Sequence, residues 1–230
     1  MAKKCGTKIY GFHIWINKGD VKMQIGVVDH SFGNVGSLVS ALRFLNYNVQ
    51  VIKNYNDLET VDIAFLSGVG CFESSVEQLK HKGLWDYLND FVIEQKKPIV
   101  GIGLGMQLFS DYSEEGNKNK GFGWIPGNVK KINDSDVKIP YIGWKKITYT
   151  DCNLFSNIKS DMFYFMHSYR FIPQDESIIY ASTSNGDNQI TAAIMKDNIV
   201  GFQFHPEKSQ MDGQRVLKNV IEGFRCRVKE

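Results

Sequence analysis

The chain has 230 residues, 43% of them hydrophobic and 13% aromatic, which is enough apolar material for one globular domain without a metal or disulfide frame and excludes a disordered one. Its net charge is +2, with five lysines and one aspartate gathered in residues 1–22, so the remainder has no basic surplus of the kind that binds nucleic acid. Four cysteines (Cys5, Cys71, Cys152, Cys226) form no CxxC pair, and no apolar run reaches the roughly 18 residues of a membrane span; free thiols in a cytoplasmic protein are the expectation.

Residues 1–22 match no element of the pattern that follows. KIYGFHIWINKGD is interrupted by His13, Asn17 and Lys18 and has no small-residue cleavage site after it, so it does not read as a signal peptide. It reads as an N-terminal extension, with Met23 as an alternative initiator, and 23–230 as one domain. MQIGVVD (23–29) is a buried strand, NVGSLVSALRFLN (34–46) an amphipathic helix, and NVQVIK (48–53) and DIAFLSG (62–68) two more strands. One helix is predicted over 74–95, with Val76, Leu79, Leu84, Leu88, Phe91 and Val92 inward. PIVGIG (98–103) is a strand, with a helix from about Leu104. Near-continuous apolar strands separated by helices predict an α/β fold with a mostly parallel sheet covered on both faces.

The second half changes character. FGWIPGNVKKI, KIPYIGWKKITYT, MFYFMHSYRFI, SIIYASTS, ITAAIMKD and IVGFQFHPE are short strands joined by turns such as NGDN and KDN, expected to add antiparallel strands to the same sheet. A helix over about 212–226 closes the chain.

Two stretches carry chemistry. GIGLG (101–105) has the form of a nucleophile elbow, a strand-to-helix turn whose central residue takes positive φ and is exposed at the carboxyl edge of the sheet. The central residue here is Gly103. The alternative is a glycine-rich turn without chemistry. FQFHPEKS (202–209) then places His205 and Glu207 after a strand, in the order of a base and the carboxylate that orients it.

GIGLGMQLF together with GFQFHPEKS resembles the class I, triad-type glutamine amidotransferases, which have a flavodoxin-like α/β fold. VVDHSFGNVGSL, LSGVGCF, GFGWIPGNV, IPYIGW and YFMHSYRF narrow the resemblance to the amidotransferase subunits of imidazole glycerol phosphate synthases, over Met23 to about the C-terminus. The resemblance implies a thiolate that attacks glutamine, and ammonia passed to a (β/α)8-barrel cyclase subunit in a heterodimer of histidine biosynthesis. It implies an oxyanion strand at Gly68, Val69 and Gly70 with Leu104, glutamine contacts at Gln107, Ser168 and Tyr169, and a partner face with Asn34, Trp144, Tyr164 and Lys208. The alternative for Trp144 and Tyr164 is a place in the core, and for Lys208 a solvated surface. No metal or organic cofactor is implied, because no His/Cys/Asp group has ligand spacing.

Two positions depart from the family pattern. Gly103 stands where the family has its cysteine, and Ser67 where its oxyanion strand begins with proline. The expectation is therefore a subunit built like an amidotransferase with glutaminase activity impaired. The alternatives are a non-catalytic subunit that stabilises its partner, or a paralogue serving surface-sugar amidation. Cys71, just past the oxyanion strand but on another strand end, reads as turn filler rather than as a substitute thiol.

Overall fold

The computed structural model describes residues 23–31, 33–116, 119–132, 139–186 and 188–227; the extension read over 1–22, with Cys5, lies outside them. The chain forms β1 (Gln24–Val28), α1 (Val35–Phe44), β2 (Asn48–Ile52), α2 (Tyr55–Glu59), β3 (Ile63–Gly68), α3 (Phe72–His81), α4 (Leu84–Asn89), a π-helical turn (Asp90–Glu94), β4 (Ile99–Gly103) and α5 (Leu104–Gln107). Then follow β5 (Tyr112–Ser113), β6 (Asn119–Lys120), β7 (Gly127–Lys131), β8 (Tyr141–Lys146), β9 (Thr148–Tyr149), β10 (Met162–His167), β11 (Tyr169–Pro173), β12 (Ile179–Asn185), β13 (Asn188–Lys196), β14 (Ile199–Phe202) and α6 (Gln210–Arg227).

Successive residues of the first strands feed opposite layers, as the two-residue period of a strand requires. Ile25, Val27, Phe65, Val100 and Ile102 enter one core with Leu38 and Leu42 of α1 and Val216, Leu217 and Ile221 of α6. Val28, Ala64, Leu66 and Ile99 enter the other, with Val76 and Leu79 of α3, Leu84 and Leu88 of α4, and Phe109. Both faces are covered, and the central order β2-β1-β3-β4-β14 is parallel, as the apolar runs predict. β13, β12 and β9 extend the same sheet antiparallel.

Two expectations need correction. The single helix over 74–95 is divided at Gly83, whose φ of 67° turns the chain between α3 and α4, and it ends in the π-helical turn. All six inward residues are buried all the same, because the sheet beneath them, not helix continuity, sets their burial. The second-half strands also do not all join one sheet. β8 and β10 pair as a separate two-stranded ribbon, and β11-β7-β5-β6 form a further small sheet. The stretch MFYFMHSYRFI divides at Ser168 into β10 and β11, which pair with different strands.

The β4–α5 turn shows why its glycines alternate. Gly103 has φ 59° and ψ −118°, a conformation in which a side chain is strained. A Cβ at Gly101 would meet the Phe109 ring at 2.6 Å and the Met106 backbone at 2.7 Å, and one at Gly105 would run into the Leu66 carbonyl. The substitution Gly105→Ala is therefore expected to lower stability by about 1–3 kcal/mol, read as a fall in the urea midpoint. An unchanged midpoint would contradict this account of the turn.

Candidate functional site

The carboxyl ends of β3 and β4 and the exit of β14 meet at one edge of the sheet, where open α/β folds place their ligands. Beyond β14, Pro206 opens a one-turn 3-10 helix that presents His205 and Glu207 side by side. This loop is fastened to β10: the His205 N–H donates to Tyr164 O at 2.8 Å. Ser209 Oγ donates to His205 O at 2.7 Å and accepts from the Tyr164 N–H at 3.0 Å.

His205 Nδ1 lies 2.9 Å from Glu207 Oε1, with both side chains almost wholly buried. A carboxylate oxygen accepts, so Nδ1 carries the hydrogen and Nε2 presents a lone pair on the opposite edge of the ring. That Nε2 is buried and has no protein partner. It is aimed at the β4–α5 turn: a Cβ on Gly103 would stand 3.2 Å from it and 2.9 Å from Gly68 O. A side chain at position 103 would thus be the group that the His205–Glu207 pair addresses. Position 103 carries hydrogen instead.

Next to Gly103, and bounded by its neighbours Gly68 and Leu104, lies a cavity of about 220 Å³ whose lining includes neither His205 nor Glu207. All seven residues expected at the oxyanion strand and the glutamine contacts line it: Gly68, Val69, Gly70, Leu104, Gln107, Ser168 and Tyr169. The division at Ser168 brings that residue and Tyr169 to the wall. Gln107 donates through Nε2 to Tyr169 O and to Gln203 Oε1, both at 2.9 Å, which leaves its amide oxygen as the group free to meet a ligand.

Glu115 and His167 also line the cavity; the sequence offers His167 only as part of the HSY run and gives no sign of Glu115. Glu115 Oε2 accepts from the Phe72 N–H at 2.8 Å. Burial pushes its carboxyl up, and that hydrogen bond partly offsets the shift. Burial raises the pKa of the Tyr169 hydroxyl, and the nearby Glu115, Cys71 and Glu114 add to the shift. His167 Nδ1 lies 2.8 Å from Tyr169 O; a carbonyl only accepts, so Nδ1 donates. Burial draws its pKa down to about 4, with His205 adding to the effect. His30, fully buried behind β3, has Nε2 2.9 Å from Ser67 O. The signal for these residues was weak, since each is a single polar residue whose partner is set by tertiary contact. Among the described residues no three His, Cys, Asp or Glu are grouped to hold a metal, and no helix is long and apolar enough to cross a membrane.

The residues expected on a partner face are not core aromatics. Trp144 and Tyr164 are opposite one another in the β8–β10 ribbon, ring edge to ring face at 6.2 Å. Ile142 pairs with Met166 on the same face, Met162 lies at its far end, and Trp144, Ile142 and Met162 are all exposed. Lys208 Nζ stands 5.9 Å over the Tyr164 ring. Asn34 is at the N-terminus of α1, which packs against the Pro206–Lys208 turn. Cys71 begins α3 half-buried, Cys152 precedes a short 3-10 turn, and Cys226 is exposed on α6.

The sequence profile of the family described as glutamine amidotransferase class-I matches residues 26–223. The chain is 38% identical over 207 residues to the imidazole glycerol phosphate synthase subunit HisH of Pelagibacter ubique, covering 86% of this chain and 99% of that one. It is 35% identical over 202 residues to the subunit named HisH 2 of Pseudomonas aeruginosa, covering 86% and 99%. In fold it is similar to PurLQS from Thermotoga maritima, with TM-score 0.67 and 18% identity over 89% of this chain and 100% of that one. It is also similar to the glutaminase domain of Trypanosoma brucei CTPS with bound acivicin, with TM-score 0.59 and 15% identity over 90% and 94%.

The neutral, buried His167 predicts a pH effect on stability. Its folded pKa of about 4 lies below the ordinary histidine value of about 6.5, so well above pH 6.5 it is neutral in both states and contributes nothing to the pH dependence. As pH falls from there, the unfolded chain binds the proton first, and stability drops by up to about 1.4 kcal/mol per pH unit until the folded group also titrates. His30, lowered mainly by burial, acts in the same sense. Urea midpoints at about pH 7 and about pH 5 are expected to converge in His167→Asn relative to the natural chain. An unaltered pH slope would contradict the assignment.

Proposed function

The chain belongs to the class I glutamine amidotransferase family, and from that premise we propose that it is the glutamine-binding subunit of an imidazole glycerol phosphate synthase-type complex of histidine biosynthesis, without glutaminase turnover of its own. The observation that carries this is a pair of neighbouring features: a buried His205–Glu207 pair directed at Gly103, and a cavity walled by Leu104, the Gly68–Gly70 segment and the Ser168–Tyr169 corner that adjoins Gly103 through Gly68 and Leu104.

The arrangement suits an α-amino acid with a carboxamide tail. Glu115, on the cavity wall, is placed for the ammonium group, and the Gln107 amide oxygen accepts a further N–H. The carboxamide reaches toward Gly103, between Leu104 and the Gly68–Gly70 strand, where backbone N–H groups stabilise an oxyanion. With a thiol at 103, His205 Nε2 would take its proton as sulfur attacks the carbonyl carbon. It would return that proton to the departing nitrogen, releasing ammonia and leaving a thioester that water hydrolyses to glutamate. Glycine supplies neither sulfur nor proton, so the cycle stops at binding. Ammonia for the partner then comes from solution.

The face formed by Ile142, Trp144, Met162, Tyr164 and Lys208 is the docking surface for a barrel-type cyclase subunit. Met166 belongs both to this apolar face and to the cavity wall, so the site opens beside the partner. Three expectations follow, all read with and without that subunit. Calorimetry detects glutamine binding to the natural chain. Glutamate release stays at background. Glu115→Gln raises the glutamine Kd about tenfold or more, since it removes a charge-assisted contact. Partner-stimulated glutamate release by the natural chain would overturn the non-hydrolysing reading, and absence of glutamine binding would overturn the reading of the cavity.

A further inference from the structure

We propose that His30 is a positioning residue for the segment Gly68–Gly70, holding it over Gly103 through the carbonyl of Ser67. The proposal rests on the reading of the cavity as the glutamine site.

Parallel strands point the N–H and C=O of one residue to the same neighbour and those of the next residue to the other. The Ala64 N–H goes to Pro98 O, on the β4 side. Ser67, three residues on, therefore presents its carbonyl to the β1 side. The β1–β3 register ends at Val27 opposite Phe65. Beyond that point the β1–β3 ladder stops, and among the described residues no backbone N–H is paired with the Ser67 carbonyl, on a residue that is fully buried.

His30, two residues past the end of β1, supplies it. Its ring is fully buried, and Nε2 lies 2.9 Å from Ser67 O. The carbonyl accepts, so Nε2 carries the hydrogen and Nδ1 stays bare, in keeping with its unpartnered, buried position. Burial disfavours the charged ring.

The packing around this bond is interlocked. A Cβ on Gly33 would stand 2.6 Å from the same carbonyl, so glycine closes the chain against it from behind. A Cβ on Gly68 would stand 3.2 Å from His30 Nε2 and 3.1 Å from Leu104 Cβ, so the ring rests on the first peptide of the cavity wall. If the Ser67 peptide rotated away, a buried donor and a buried acceptor would both lose their partner, which is disfavoured. Ser67 does not hold itself, as its Oγ is buried without a partner. A proline at this position would restrain φ covalently; here the restraint comes from outside, through an imidazole.

The test is amide hydrogen exchange by NMR combined with glutamine calorimetry on the full chain, His30→Leu and His30→Gln. In His30→Leu, the Gly68–Gly70 amides are expected to exchange roughly tenfold faster, and the glutamine Kd to rise by a similar factor, each the worth of about one hydrogen bond. Ile63–Leu66 should be unaffected. His30→Gln keeps an N–H donor at a comparable reach and should bring both quantities back to within about threefold of the natural chain. A role in stability alone would slow or speed exchange across β3 as a whole and would not be rescued selectively by glutamine at position 30. Unchanged Gly68–Gly70 exchange in His30→Leu, or a folded His30→Gln that restores nothing, would overturn the proposal. If the natural chain binds no glutamine, the cavity reading fails while the exchange arm still decides His30. If His30→Leu does not fold, ¹⁵N NMR of the natural chain decides it: His30 must be the Nε2–H tautomer with a slowly exchanging ring N–H, and an Nδ1–H tautomer would refute it.

Discussion

The backbone at Gly103 is the constraint on which the site depends. At φ 59° and ψ −118° the chain leaves β4 and turns at once into α5, which brings α5 onto β3 and requires hydrogen in place of side chains at Gly101 and Gly105. The same turn fixes the neighbours of position 103. Gly68 O approaches from β3, His205 from the loop after β14, and Leu104 starts the helix over the cavity. A conformation that strains an ordinary side chain is typical of functional turns. Glycine holds it with little strain.

The site is also joined mechanically to the exposed ribbon. Tyr164 gives its carbonyl to the His205 N–H and its own N–H to Ser209 Oγ, and Ser209 in turn binds the His205 carbonyl. The side chain of Tyr164 meanwhile faces Trp144 and Lys208 on the surface. One residue therefore belongs to the face proposed for the partner and, through its backbone, to the loop that carries His205 and Glu207. A partner that shifts β10 would shift His205 with it. Behind β3, His30 does for the Ser67 carbonyl and the Gly68–Gly70 segment what this network does for the His205 loop.

The elements that were legible in the sequence are those whose signals are local. The apolar runs at 24–28, 63–68 and 99–103 declared a parallel sheet because both faces of each strand are buried. GIGLG declared the turn because Gly101 and Gly105 leave no room for a Cβ and Gly103 takes a positive φ. HPE was readable because the base and its carboxylate are two residues apart. What remained hidden depends on distant contacts or on one backbone angle. Gly83 reads as part of a continuous helix, since amphipathic spacing carries across the break and only its positive φ reveals it. The ribbon of β8 and β10 was assigned to the main sheet, because pairing partners lie outside any local window. His30, Glu115 and His167 have meaning only against Ser67 O, the Phe72 N–H and Tyr169 O, and no spacing rule connects those pairs.

The central claim is that everything needed to attack glutamine is in place except the attacking atom. Intact-mass spectrometry of acid-quenched samples tests it most directly, with the natural chain and Gly103→Cys each mixed with glutamine and the cyclase-type partner. The account predicts a glutamyl adduct on residue 103 of the variant and an unmodified natural chain. No adduct on the variant, or one on the natural chain at Cys71 or elsewhere, would contradict it.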